Sequence, residues 1–196
     1  HATQATAAAR PTYQTDGTLH WLSFDGVDDF LVTPTITPAT DKVQVFAGVR
    51  KLSDAAQGIL LESSTNVVDG GISVIVPSAS DTAGYRYTSR GTLTANAIVS
   101  SGYAAPITNV LTGLGDISGD SATLRIDGTQ VAQSTNDQGT GNYLAYPMYI
   151  GRRGGTSLPF NGNIYGLVTR FGANLDATAI GRTETYVSGK TGVVIA

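Results

Sequence analysis

From Leu19 onward the chain is a succession of short apolar runs interrupted by Gly, Pro, Asp and Asn, at the spacing of a β-sandwich. Val43, Val45, Ala47 and Val49 alternate with Gln44, Phe46, Gly48 and Arg50, which predicts a strand with one uniformly buried face. Similar runs predict strands over 58–62, 72–76, 85–89, 93–99, 107–114, 122–126, 130–133, 146–150 and 164–171. No helical pattern separates them, so a wound α/β fold is excluded. The period changes once, over Leu175 to Gly192. There Asp176 reads as an N-cap, Ala179, Ile180, Tyr186 and Val187 as an apolar stripe, and Gly189 as the residue just past the helix end. The expected class is all-β, a two-sheet antiparallel β-sandwich with one C-terminal α-helix.

Turn chemistry supports this reading. Asp127-Gly128 separates two alternating runs, where a two-residue hairpin turn needs positive φ. Asp25-Gly26 and Asn161-Gly162 read as the same device. Trp21, between Leu19 and Leu22, is expected in the core, and His20 at the rim near a strand start. Residues 1–15 are rich in Ala, Thr and Gln without a clear period, and the Arg10-Pro11 step disfavours helix. They read as an N-terminal arm or linker, with the sandwich domain spanning 16–196.

Composition narrows the function classes. A chain of 196 residues suffices for one good core. With net charge −3 and 14% charged residues, it lacks the concentrated basic face that nucleic acid requires. The absence of cysteine removes disulfides, thiol catalysis and thiolate metal sites. No apolar run approaches the roughly 20 residues needed to span a bilayer, so membrane insertion is not expected.

Three stretches carry a family likeness: Met148-Tyr-Ile-Gly-Arg-Arg-Gly-Gly-Thr-Ser-Leu-Pro-Phe-Asn-Gly-Asn-Ile-Tyr-Gly-Leu-Val, the hairpin Ser121-Ala-Thr-Leu-Arg-Ile-Asp-Gly-Thr-Gln-Val, and Trp21-Leu-Ser-Phe-Asp-Gly-Val-Asp-Asp-Phe. Together they resemble the concanavalin-like lectin/laminin-G jelly-roll superfamily. Ala5-Thr-Ala-Ala-Ala-Arg-Pro-Thr-Tyr and Glu184-Thr-Tyr-Val-Ser-Gly-Lys-Thr-Gly-Val further resemble the laminin-G-like domains of phage and prophage virion proteins. The resemblance implies a jelly roll, a virion or extracellular setting and, loosely, sugar binding. It also implies a structural role for Asp25, Asp28 and Asp29.

The superfamily includes glycan-active enzymes, so catalysis is tested first. Retaining hydrolysis needs two carboxylates about 5 to 5.5 Å apart. The chain has no Glu-x-Asp-x-x-Glu arrangement, and its two glutamates, Glu62 and Glu184, belong to different elements. His20 and His1 form no lyase grouping with a tyrosine, and no serine sits in a Gly-x-Ser-x-Gly elbow. Gly151-Arg-Arg-Gly-Gly lacks the ending of a phosphate loop. Arg152 and Arg153 are expected to brace acidic turns, with contact to an anionic ligand as the alternative. The chain is therefore not expected to be an enzyme.

Related laminin-G and pentraxin domains hold calcium, which needs six to eight oxygens. Asp116 and Asp120 are the calcium candidates, with Asp69 and Asp81 in other loops; ordinary turn chemistry is the alternative. Sugar binding needs an exposed aromatic face and planar polar groups. Tyr85 and Tyr87 share a face by period two, with Arg90 in the same stretch and Tyr103 nearby. These four are the expected carbohydrate-binding residues. The alternative is packing with satisfied hydroxyls.

The expected function is a non-catalytic carbohydrate-recognition module whose partner is a cell-surface glycan. The alternative is a capsid or tail decoration domain contacting neighbouring virion proteins, for which the N-terminal arm would serve as a tether. Oligomers are compatible with either.

Overall fold

The computed structural model describes residues 1–195. In chain order the strands are β1 (Thr12–Thr15), β2 (His20–Asp25), β3 (Leu31–Val32), β4 (Lys42–Lys51), β5 (Ile59–Ser63), β6 (Ile72–Ile75), β7 (Tyr85–Arg90), β8 (Thr94–Val99), β9 (Ile107–Asp116), β10 (Ser121–Ile126), β11 (Thr129–Ser134), β12 (Met148–Ile150) and β13 (Asn161–Phe171). Helix α1 (Ala177–Thr191) follows. Two antiparallel sheets stack face to face: one of seven strands, ordered β1-β2-β13-β4-β9-β10-β11, and one of six, ordered β3-β12-β5-β6-β7-β8. The expected all-β sandwich with a single C-terminal helix is the observed fold.

The core lies between the sheets. Val43, Val45, Ala47 and Val49 of β4 face Leu61, Val74, Tyr87 and Ala97 within one buried cluster. The other face of β4 is also buried, contrary to the one-sided pattern, because α1 lies across it. Phe46, Val110 and Val187 form a second small core there, joined by Val168, Leu175 and Ile180. Gly48 allows this approach, since a Cβ at that position would collide with Thr191 and press on Val187. Arg125 fixes the helix to the sheet, its Nε donating to Glu184 Oε1 at 2.8 Å and its Nη2 to Oε2 at 3.2 Å.

Asp176 caps α1 as expected, accepting the Ala179 N–H at 2.7 Å. The helix runs past Gly189 and closes at Gly192, whose φ of 73° is the left-handed conformation a C-terminal glycine supplies. Tyr186 points to solvent, with 61% of its surface exposed, and is not part of the buried stripe.

Asp127-Gly128 forms the expected tight turn, with φ of 49° and 83°. Asn161-Gly162 does not: both residues lie inside β13, paired with β2 and β4, and a Cβ on Gly162 would collide with the Arg50 carbonyl. At Asp25-Gly26 only the glycine is left-handed, and the chain leaves the sheet without a hairpin. Residues 1–15 are joined to the sandwich and are not a free arm. Thr3 exchanges backbone hydrogen bonds with Val32, Ala9 is buried and accepts the Phe30 N–H, and β1 pairs with β2 from Thr12 to Thr15.

Candidate functional site

The six-stranded sheet carries an ordered polar row on the face turned away from the core. Cross-strand partners share a face. The register links Tyr149 to Glu62, Glu62 to Ser73, Ser73 to Thr88 and Thr88 to Asn96. The adjacent inward row is Ile150, Leu61, Val74, Tyr87 and Ala97, all packed in the core cluster. A second outward row links Ile75, Arg86 and Ile98.

Charge concentrates at the middle of this face. Glu62 is fully buried, and Arg153, from the loop after β12, holds it from above. Its Nε donates to Oε2 at 2.9 Å and to Oε1 at 3.2 Å, and its Nη2 donates to Oε1 at 3.0 Å. Burial pushes the Glu62 carboxyl above its ordinary range, and Arg153 pulls the other way. Arg86 feels both groups: burial lowers it first, the neighbouring Arg153 charge adds to that, and Glu62 opposes it. Only Arg153 bonds the carboxylate, so the Arg86 charge stands beside a pair that is already neutral and leaves an excess of one positive charge. Among the described residues, Arg86 Nε and Ser73 Oγ are buried without a hydrogen-bond partner. Thr88 donates to Asn96 Oδ1 at 2.7 Å, and Asn96 and Ile98 are exposed toward the β8 edge. The arrangement can fix an anion, a carboxylate above all, by charge-assisted hydrogen bonds.

The sequence-based choice of binding residues does not survive the geometry. Tyr85 and Tyr87 do share a face, but it is the core face, and neither has any exposed surface. The reason lies on β9: Gly113 has no side chain where the Tyr87 ring packs, and Gly115 leaves room for the hydroxyls of Tyr87 and Tyr143. Tyr85 donates to Asn109 Oδ1 at 2.8 Å. Tyr103 packs against it with rings tilted by 47° and centroids 5.3 Å apart, and closes that end of the core. Arg90 alone of the four is on the outward face, where its Nη2 donates to Asp69 at 2.8 Å. Arg86, on the opposite side of the strand from the tyrosines, was missed. Its position between Tyr85 and Tyr87 was the available signal, once those two are placed inside. Arg153 braces a buried strand carboxylate instead of a turn, and Arg152 donates to the carbonyls of Asp28 and Thr156.

The acidic candidates do not form a calcium shell. Asp116 Oδ1 accepts from the Lys42 ammonium at 3.0 Å and from the Gly119 N–H at 2.9 Å, and its Oδ2 accepts from Asn174 at 2.6 Å. Its charge is partly offset by a lysine ammonium that it shares with Asp41. Asp120 points elsewhere, accepting the Gln138 N–H at 2.9 Å. Asp25, Asp28 and Asp29 can bring one oxygen each within 4.8 Å of one another. Their carboxylates serve the turn: Asp25 accepts the Val27 and Asp28 N–H groups, and Asp29 accepts that of Asp25.

Trp21 is only partly buried, tilted against Tyr165 at 5.6 Å, and is not a core residue. His20 is exposed at the start of β2, as expected of a rim residue.

No protein-family model matches the sequence, and neither does any curated protein. Solved structures do match the fold. The carbohydrate-binding module CBM40 of the Ruminococcus gnavus IT-sialidase, solved with α2,3-sialyllactose, aligns over 78% of this chain and 97% of its own, with a TM-score of 0.57 and 16% identity. The binding domain of botulinum neurotoxin serotype G aligns over 95% of this chain but only 47% of its own, with a TM-score of 0.69 and 12% identity. A heptameric SAP-like pentraxin from Limulus polyphemus aligns over 93% and 86%, with a TM-score of 0.64 and 12% identity. At these identities the likeness is one of fold.

Proposed function

We propose that this chain is a non-catalytic carbohydrate-recognition module that takes a carboxylate-bearing sugar on the outward face of its six-stranded sheet. The observation that carries the reading is the part-exposed Arg86 guanidinium beside the Arg153–Glu62 pair, one positive charge in excess on this face. An acidic sugar supplies what this face lacks, a negative charge against the part-exposed Arg86 guanidinium. Tyr149 and the exposed Asn96 stand in line with the charged centre and offer ring and amide contacts to the remaining hydroxyls. Support also comes from the neighbours of the same fold, among them a module solved with α2,3-sialyllactose. The setting in which such a module works is a secreted or virion surface, as the family resemblance implies.

Calorimetric titration with sialyllactose and with lactose tests the proposal. Sialyllactose is expected to bind and lactose not. Arg86→Ala should reduce sialyllactose affinity at least tenfold, the scale of a lost charge-assisted contact, while Arg50→Ala, on the other sheet, should leave it unchanged. Equal affinity for the two sugars, no binding of either, or wild-type affinity in Arg86→Ala would overturn it.

A further inference from the structure

The sandwich closes on one side and splays on the other. At the closed side β11 lies against β8. At the other, a cavity of about 310 Å³ opens between the β1–β2 edge of one sheet and the β3–β12 edge of the other. The register shows how one row of side chains runs out into this opening. Val49, Ile164, Leu22 and Tyr13 are successive cross-strand partners, so all four face inward. Val49 is fully buried, whereas Tyr13, at the end of the same row, is 60% exposed.

The chemistry of the cleft is of two kinds. Its floor is aliphatic, with Leu31 and Ile150 from one sheet facing Leu22 and Leu167 from the other. Its mouth is aromatic and polar. Tyr13 and His20 stack with ring planes 16° apart, and the Tyr13 hydroxyl bonds His20 Nδ1 at 2.6 Å, so that Nε2 is the ring nitrogen without a partner among the described residues. A purely polar ligand would leave the aliphatic floor uncovered, and a purely apolar one would make no use of Nε2 at the mouth.

We infer that this cleft binds the alkyl or aryl group of a small amphipathic molecule, with the polar head held at Tyr13 and His20. The site is separate from the Arg86–Arg153 face and does not depend on the sugar reading proposed for it.

The test is a calorimetric titration with methyl, hexyl and octyl glucoside, each below its micelle concentration. Octyl glucoside is expected to bind saturably, hexyl more weakly and methyl not at all. Affinity should rise severalfold per added methylene, up to about fourfold for complete burial. Leu31→Asp should weaken octyl glucoside at least tenfold, and Tyr13→Ala, a change at an exposed edge residue, should weaken it severalfold even where Leu31→Asp fails to fold. Arg86→Ala should have no effect. The same response to methyl and octyl glucoside, no saturable response, or wild-type binding in Tyr13→Ala would overturn the proposal. So would a dimer in sedimentation that Tyr13→Asp dissolves and octyl glucoside does not disturb, which would give the cleft to a second copy of the chain.

Discussion

Arg153 grips Glu62 with two nitrogens, at 2.9 to 3.2 Å, yet Glu62 is fully buried while the Arg153 side chain keeps about a fifth of its surface exposed. The two are unequal partners. Removing the arginine strands a buried carboxylate, whereas removing the carboxylate leaves an arginine that water can reach. Arg153→Ala should therefore cost about 3 kcal/mol at neutral pH, measured by urea denaturation. Glu62→Gln should cost far less, and the double variant should recover most of the Arg153→Ala loss. Burial already raises the Glu62 pKa in the folded chain. A raised carboxyl contributes stability that is present at low pH and lost as pH rises through the folded value. The Arg153→Ala deficit should accordingly shrink on acidification as Glu62 takes up a proton.

The buried tyrosines yield a second expectation. Tyr87→Ala should cost about 4 kcal/mol, as for other large aromatic truncations in cores, and should reduce ligand binding only through unfolding. Tyr87→Phe should be close to neutral, because among the described residues the hydroxyl has no well-formed hydrogen bond. Gly113→Ala should cost about 1 to 3 kcal/mol by overpacking against the Tyr87 ring. Thermal melts of the three variants separate these effects.

The helix ends can be tested by substitutions of opposite sign. Gly181 and Gly189 lie inside α1, with open space where a Cβ would go. Gly181→Ala and Gly189→Ala should each stabilise the chain by about 0.5 to 1 kcal/mol. Gly192→Ala should destabilise it by about 1 kcal/mol, because its left-handed φ of 73° excludes a Cβ without strain. Asp176→Ala should cost about 1 kcal/mol through the lost cap. If Gly189 were the helix terminus, its substitution would instead destabilise.

At the other end of the helix-bearing sheet, Asp41, Lys42 and Asp116 form a cluster with acid sensitivity. A Ser118 hydrogen bond and the Lys42 ammonium hold Asp41 down from 3.8 to about 2. Asp116 is also lowered: burial pushes it up, but Asn174, Lys42 and the Gly119 N–H outweigh that. A depressed carboxylate contributes stability that is present above its unfolded value and lost as pH falls through its folded one. Wild-type stability should drop between pH 3.8 and about 2, and Asp41→Asn should flatten that limb while lowering stability at neutral pH. Denaturation series across the acid range check both.

Local pattern and turn chemistry carried much of this molecule. Alternation located most of the strands to within two or three residues, Asp176 located the helix start, and Asp127-Gly128 located the hairpin, because each depends only on neighbours in sequence. β2 was marked only by its start near His20, and two strands escaped. β1 is exposed along its whole length and so has no alternation, and β3 is two residues long. The binding face was the harder problem. Period two establishes that Tyr85 and Tyr87 lie together with Arg86 opposite, but it cannot say which side meets the core.

The sequence by itself determined an all-β sandwich with one terminal helix, since period, turn residues and caps are local properties of the chain. Only the tertiary structure decided which side of β7 faces inward, because that rests on Gly113 and Gly115 arriving from a distant strand with room for Tyr87, and on Asn109 of the same strand meeting the Tyr85 hydroxyl. The same packing turned Arg86 outward and brought Arg153, 67 residues later in the chain, onto the carboxylate beside it. Long-range stacking of sheets made this charged centre, and no local pattern records which strands will be stacked.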